Sequence, residues 1–145
     1  MSFVTDAIEK ISHESEAHEN DVSAAIQKKL SEVLDELMSK STDFVGATVS
    51  SIDGLAWAEK ISSGLDKHRF AAMSSSLLAI SDELANEVEG GQTNNVLIEG
   101  VSGKVIIMHA GPLLLLTIFT TKNVTLGMAL AHARIVAENI ESIEV

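Results

Sequence analysis

The stretch VSSIDGLAWAEK, Val49 to Lys60, predicts a β-hairpin. Asp53-Gly54 lies between two runs of strand-forming residues, and an Asp-Gly pair supplies the positive φ angles that a tight two-residue turn requires. A long amphipathic helix is predicted next, from a cap at Asp66 to Glu89. Gly90-Gly91 ends it, because glycine tolerates the left-handed conformation after a helix. A hairpin of this kind is common, so by itself it says nothing about function.

Similar patterns predict a helix before the hairpin, and three strands and a helix after it. The first helix is expected to begin after a cap at Asn20 or Asp21, and the last one after a cap at Asn123 or Thr125. The five strands are predicted at Phe44–Ser50, Leu55–Ile61, Asn95–Glu99, Lys104–His109 and Leu113–Phe119.

The last predicted strand, Leu113–Phe119, is apolar without alternation. Such a strand is normally covered on both faces of its sheet. The predicted order is helix-strand-strand-helix-strand-strand-strand-helix. Three long helices around five strands, with both faces closed, predict an α/β (α+β) fold that is three-layered or completed by a dimer.

Residues 1–19 are predicted to form an N-terminal extension, and residues 20–145 the domain. Apolar residues at helical spacing between Phe3 and Ile11 predict a short amphipathic helix, and the polar, acidic stretch Ser12 to Asn20 predicts a linker. Two interpretations of the short helix stay open: it docks on its own domain, or it docks in a groove of a partner.

The composition limits the classes of partner. A chain of 145 residues, 46% of them hydrophobic, is long enough for one domain with its own core, and 3% aromatic residues predict that this core is aliphatic. The net charge of −11 disfavours nucleic acids and anionic membranes, which need a basic patch. The absence of cysteine excludes disulfides.

The sequence also predicts where the protein works. Acidic residues stand in the N-terminal stretch where a signal peptide would carry Lys or Arg. The longest apolar run, Leu113 to Phe119, is far shorter than the roughly 20 residues of a membrane helix. We therefore expect a cytoplasmic protein that does not insert into membranes.

No arrangement of residues predicts catalysis or a cofactor. The five histidines fall in different elements without zinc-like spacing. No serine lies in a nucleophile elbow, and Gly100 to Gly103 joins two strands, unlike a phosphate loop. His109 is expected to be exposed near a turn, and Asp82-Glu83 to lie on a solvated helix face. The sequence predicts no catalytic, metal-binding or cofactor-binding residue.

The second long helix is rich in small residues between Ala71 and Ala79. In one interpretation they fill a tight contact between helix and sheet. In the other, a helix face of low relief lets another helix or another protein approach closely. The sequence leaves both interpretations open.

These pieces together resemble a known family. From about Asn20 to Ile143 the chain resembles the roadblock (dynein light-chain) family, especially its bacterial and archaeal single-domain members. The matching segments, besides the hairpin, are DKHRFAAMSSSLLAISDELANEVEGG, NNVLIEGVSGKVIIMHAGPLLLLTIF and TLGMALAHARIVAENI. The chain departs from the family pattern at Trp57, where relatives carry a smaller aliphatic residue, and in the extension Met1 to Glu19.

The resemblance implies a five-stranded antiparallel sheet with the second helix on one face and the first and third on the other. It also implies homodimers or heterodimers in which the third strands pair edge to edge and the second helices lie together, and a homodimer is predicted here. The implied dimer residues are Val96, Leu97, Ile98, Glu99, Met73 and Leu77.

The resemblance further implies a protein without catalytic chemistry of its own that serves as a platform for partners. The implied partner surface is the exposed side of the second helix. Its residues are Lys67, His68, Ala71, Ala72, Ser75, Ala79 and Asp82.

Two functions follow as hypotheses. The first is a homodimeric regulator that binds a small Ras-like GTPase, with stimulation of GTP hydrolysis as its sharper form. The alternative is a structural adaptor in a signalling or motor complex that leaves the nucleotide untouched. A ligand-sensing module is disfavoured, because the aliphatic strands offer no polar lining for a pocket.

Overall fold

One sheet of five antiparallel strands lies between two layers of helix in the computed structural model, which describes residues 16–61 and 64–143. The predicted element order and α+β class are confirmed. In chain order the elements are α1 (Glu16–Ser39), β1 (Phe44–Ser51), β2 (Ala56–Lys60), α2 (Lys67–Glu87), β3 (Val96–Glu99), β4 (Gly103–Ala110), β5 (Leu114–Thr121) and α3 (Leu126–Ile143). The spatial order of the strands is β2-β1-β5-β4-β3.

The two faces of the sheet carry unequal cores. Helices α1 and α3 pack together on one face, and α2 lies on the other, across β1, β2 and β4. The face under α1 and α3 holds the main cluster, which is mostly aliphatic and includes the fully buried Leu34 and Ile140. The face under α2 holds a small buried cluster of Leu78, Ile107 and Leu115.

The side chains of strand β5 are buried on both faces of the sheet, which accounts for the absence of alternating polar residues. Leu114, Leu116 and Ile118 face the main cluster, whereas Leu115 belongs to the small cluster under α2. Both faces of this central strand are therefore covered by helices, as the unbroken apolar run predicts.

The hairpin between β1 and β2 closes with a longer loop than predicted. The N–H of Gly54 donates to the carbonyl of Ser51 at 3.0 Å, and the N–H of Ser51 donates to the carbonyl of Leu55 at 2.8 Å. Gly54 has a φ of 90°, and Asp53 is not among the residues with positive φ. The predicted two-residue turn is wrong: Ile52, Asp53 and Gly54 form a three-residue loop in which only the glycine is left-handed.

Helix α1 begins earlier than predicted. It starts at Glu16, so Glu16–Asn20 are helical and are not part of a linker, and neither Asn20 nor Asp21 caps the helix. The short helix predicted between Phe3 and Ile11 lies outside the described residues. The domain boundary at residue 20 stays a prediction.

Helix α2 begins as predicted and ends two residues early. The Asp66 carboxylate accepts hydrogen bonds from the backbone N–H groups of His68 and Arg69, at 3.0 and 3.3 Å, and so caps the helix. The helix ends at Glu87, after which Glu89 and Gly91 adopt positive φ angles of 58° and 75°. Glu89, directly after the cap, is thus the first left-handed residue. Of the two glycines only Gly91 has a positive φ, so the prediction that glycine supplies this conformation is confirmed for Gly91 and wrong for Gly90.

Candidate interaction surface on α2 and the β3 edge

The small residues of α2 allow the β1–β2 loop to approach the helix closely. The Ser75 hydroxyl donates a hydrogen bond to the carbonyl of Ile52. A Cβ placed on Gly54 would lie 3.5 Å from the Cα of Ala72. At these positions the structure therefore favours the interpretation of a tight internal contact.

The seven predicted partner residues differ in exposure. Lys67, His68, Ala72 and Ala79 are exposed, and Ser75 and Asp82 are partly buried. Ala71 is only 1% exposed and lies on the buried side of α2 with Ser74 and Leu78. The expectation that all seven lie on an exposed face is wrong for Ala71, because that side of the helix packs on the sheet.

Another side of α2 presents large apolar side chains to solvent. Ile80, Leu84 and Val88 are 61, 66 and 73% exposed, and Met73 is 47% exposed. With Leu77 they recur at three- and four-residue spacing, so they lie along one side of the helix. We call Met73, Leu77, Ile80, Leu84 and Val88 the apolar stripe. A contiguous exposed apolar surface of this kind is typical of an interaction site.

The apolar stripe continues onto the sheet edge formed by β3. Strand β3 is the last strand of the sheet in the described part of the chain. Leu77 and Val96 pack against the same small cluster, Ile98 is 41% exposed, and Leu97 packs on the opposite face, against the main cluster. Leu77 and Val96, two of the predicted dimer residues, are thus brought together.

The opposite edge, β2, carries charged pairs. Lys60 Nζ lies 3.1 Å from Asp35 Oδ1, and Lys67 Nζ lies 3.4 Å from Glu59 Oε1. Charged side chains on an edge strand disfavour pairing with another strand. The β3 edge, with three apolar residues, is the better candidate for strand pairing.

A polar contact that the sequence did not predict joins α2 to β4. The carboxylate of Asp82 accepts hydrogen bonds from His109 Nε2 at 2.9 Å and from the backbone N–H of Thr93 at 3.0 Å. Partial burial would raise the pKa of Asp82, but the hydrogen bonds from His109 and Thr93 outweigh it and lower that pKa below its usual value.

This contact corrects two sequence-based expectations. The side chains of Asp82 and His109 are 24 and 22% exposed, so both are partly buried and neither is fully solvated. The residues are 27 positions apart in the chain. No local pattern links them, because the packing of α2 on the sheet brings them together.

Residues 16–61 and 64–143 offer neither a metal site nor a membrane-spanning helix. No group of three or more His, Asp or Glu side chains there is arranged to hold a metal ion. No helix among these residues has the length and apolar character needed to cross a membrane.

The amino-acid sequence assigns this fold to a family. Residues 30–120 match the sequence model of the Roadblock/LC7 domain, which is more than half of the chain. The protein belongs to the Roadblock/LC7 domain family, and the resemblance seen in the sequence is confirmed.

Individual relatives agree with this assignment. The uncharacterized protein MJ1340 of Methanocaldococcus jannaschii is 29% identical over 105 residues, covering 72% of this chain and 91% of that protein. The gliding protein MglB from Thermus thermophilus has a TM-score of 0.72 at 19% identity, over 83% of this chain and 91% of its own. A structure described as MglB with tetrameric arrangement has a TM-score of 0.73 at 21% identity, over 83% and 90%. The two structural likenesses show the fold.

Proposed function

We propose that this protein is a non-catalytic, cytoplasmic, homodimeric platform that binds a small Ras-like GTPase and stimulates its GTP hydrolysis. Membership of the Roadblock/LC7 family supports the class of partner, through the resemblance described above. The observation that carries the proposal is the surface of α2, which offers an apolar stripe on one side and small exposed residues on another.

The apolar stripe and the β3 edge support self-association. An unpaired apolar edge strand is a site for aggregation unless something covers it. A second copy that pairs its β3 with this one, antiparallel about a two-fold axis, covers both edges and lays the two α2 helices side by side. The tetrameric arrangement described for MglB supports self-association in this fold.

The charges of α2 support an antiparallel arrangement of the two helices. Arg69 and Glu87 lie near opposite ends of α2, about five helical turns apart, and so point to the same side, beside the apolar stripe. Two antiparallel copies would bring Arg69 of one close to Glu87 of the other. Opposite charges at these positions favour this register over a parallel one, which would place like charges together.

The exposed residues Lys67, His68, Ala72 and Ala79 form the proposed GTPase-binding face. Small side chains let a partner's backbone or side chains approach the helix closely, and a large charged group there would leave a gap or an unpaired charge. Ser75 and Asp82 lie at the edge of this face and fix the position of α2, through their hydrogen bonds to the β1–β2 loop and to β4. Ala71 is buried between this face and the sheet, and its small side chain lets the helix pack closely there.

The test uses a purified Ras-like GTPase from the same organism, loaded with GDP or with a non-hydrolysable GTP analogue. Binding is measured by fluorescence anisotropy, and single-turnover hydrolysis is measured with and without this protein. We expect Ala79→Arg and His68→Glu to weaken binding about tenfold or more, since they place a large or oppositely charged group near either end of the proposed face. The matched control is Ala131→Arg, because Ala131 is exposed on α3 in the opposite layer.

The outcomes separate the two hypotheses. Binding with faster hydrolysis supports the regulator. Binding without any change in hydrolysis favours the adaptor, in which the partner is assembled and its nucleotide is left alone. Equal loss of binding in Ala131→Arg, or no binding of any Ras-like GTPase from that organism, would overturn the proposal.

A further inference from the structure

Helix α2 buries fewer apolar side chains against the sheet than α3 does, although the partly buried Leu77 and Phe70 also contact the sheet. Its buried residues are Ala71, Ser74 and Leu78, and only Leu78 is large. Helix α3 buries five residues, including Val136 and Ile140, in the main cluster. Because hydrophobic stabilisation scales with the apolar area removed from water, α2 gains less from its contact with the sheet than α3 does.

The sheet surface under α2 contains buried hydroxyl groups. Thr48, Ser50 and Thr117 alternate with residues of the main cluster, so they lie on the α2 side of β1 and β5. Thr48 and Thr117 stand opposite each other in the pairing of the two strands. All three hydroxyl oxygens are buried without a hydrogen-bond partner among the described residues. An unsatisfied buried hydroxyl disfavours the closed state, because opening returns it to water.

The charge pattern of α2 also weakens the helix itself. Lys67, His68 and Arg69 occupy its first turn, where the helix dipole favours acidic groups. Its last turns carry Glu83 and Glu87 and no basic residue, although the dipole favours bases there. Apart from the Asp66 cap, no side chain of favourable charge offsets the helix dipole at either end of α2.

We infer that α2 opens from the sheet as a unit while β1–β5, α1 and α3 stay folded. Apart from Leu78, Leu77 and the edge-on contact of Phe70 with Phe119, the closed state is held by polar contacts at the margins of the helix. These contacts join Ser75 to Ile52, Asp82 to His109 and Thr93, and Lys67 to Glu59. Local opening of this kind occurs where apolar contacts are few. Opening of α2 would change the position of the apolar stripe and of the proposed GTPase-binding face while the main core stays folded.

The test is native-state amide hydrogen exchange of the full chain, followed by mass spectrometry. We expect amides in residues 70–85 to exchange about tenfold or more faster than amides in residues 128–140. Because a second copy lying on α2 would also protect it, the same measurement is made on Ile98→Lys, which is designed to separate the copies. Equal protection of the two helices in Ile98→Lys would overturn the inference, whatever the oligomeric state of the wild type.

A pair of matched variants tests the role of the buried hydroxyls. Thr117→Val removes an unpartnered hydroxyl under α2, and we expect exchange of α2 to slow about fivefold. Thr120→Val is the control, since the Thr120 hydroxyl donates to the Thr121 carbonyl and lies on the other face of β5. Unchanged exchange of α2 in Thr117→Val, or equal slowing in both variants, would contradict the inference. Neither measurement depends on the proposed GTPase.

Discussion

His109 Nε2 lies 2.9 Å from Asp82 Oδ2 and so ties α2 to β4. Because the pKa of Asp82 is lowered from the ordinary value of a carboxyl group, its side chain is ionised at neutral pH in the folded protein. An ionised carboxylate only accepts hydrogen bonds, so Nε2 of His109 carries the proton in this contact. The carboxylate also accepts from Thr93, on the segment between α2 and β3. One side chain therefore holds the helix, the following loop and the sheet together.

The Asp82 contact predicts a pH-dependent contribution to stability. A carboxyl whose pKa is lower in the folded state stabilises the fold above its unfolded pKa of about 3.9, and this stabilisation is lost as the pH falls through the folded value. We expect Asp82→Asn to reduce the free energy of unfolding by about 1 kcal/mol at pH 7. The difference from wild type should shrink below pH of about 4.

Urea denaturation at pH 7 and at acid pH measures this difference. Glu83→Gln is the matched control, because Glu83 is the exposed neighbour of Asp82 and changes the net charge equally. A difference for Asp82→Asn that stays constant over the whole pH range would contradict the prediction.

Substitution of alanine for Gly54 and for Gly127 should change the stability of the protein in opposite directions. Gly54 has a φ of 90°, so Gly54→Ala forces a side chain into the left-handed region and should destabilise the protein by about 1–2 kcal/mol. Gly127 lies in the first turn of α3 with open space around its Cα, so Gly127→Ala should stabilise it by about 0.5 kcal/mol. Thermal unfolding of both variants checks this. A stabilised Gly54→Ala would show that the loop assignment is wrong, and a destabilised Gly127→Ala would contradict the expectation for α3.

The β3 edge should control self-association. Ile98→Lys places a charge on the proposed seam, and we expect the dimer to dissociate at micromolar concentration. Val101→Lys is the control, because Val101 is 96% exposed in the turn after β3 and outside the proposed seam. Light scattering coupled to size-exclusion chromatography measures the mass. A wild type that is a stable monomer would refute the prediction outright.

The charges beside the apolar stripe should set the register of the two α2 helices. Arg69→Glu alone should weaken association, since it places two acidic groups together across an antiparallel pair. The double variant Arg69→Glu with Glu87→Arg should restore most of the lost association, because it exchanges the two charges. Sedimentation equilibrium of the wild type, both single variants and the double variant gives four association constants, and from them the interaction free energy between Arg69 and Glu87. If the double variant is as weak as the sum of the single variants, the helices do not pair in this register.

Local sequence accounts for most of the secondary structure, and for physical reasons that act over a few residues. Asp66 caps α2 because its carboxylate reaches N–H groups two and three positions ahead. The unbroken apolar run of β5 implied a strand covered on both faces. Helix α1 begins earlier than predicted because Glu16–Asn20, polar apart from Ala17, carry no apolar pattern, yet they extend a helix that packing holds further along the chain.

Tertiary structure decided what each side of α2 does. The helix has apolar residues on two sides, and sequence alone could not tell that Leu78 packs on the sheet while Leu84 is 66% exposed. Nor could it pair Asp82 with His109, since contacts between distant residues follow from strand order and register. Hydrogen bonds and steric limits between near neighbours depend on local sequence, so the sequence alone predicted the helices, the strands and the family. The choice of buried face depends on the free energy of all layers packing at once, so only the folded chain reveals which surfaces of α2 remain free for partners.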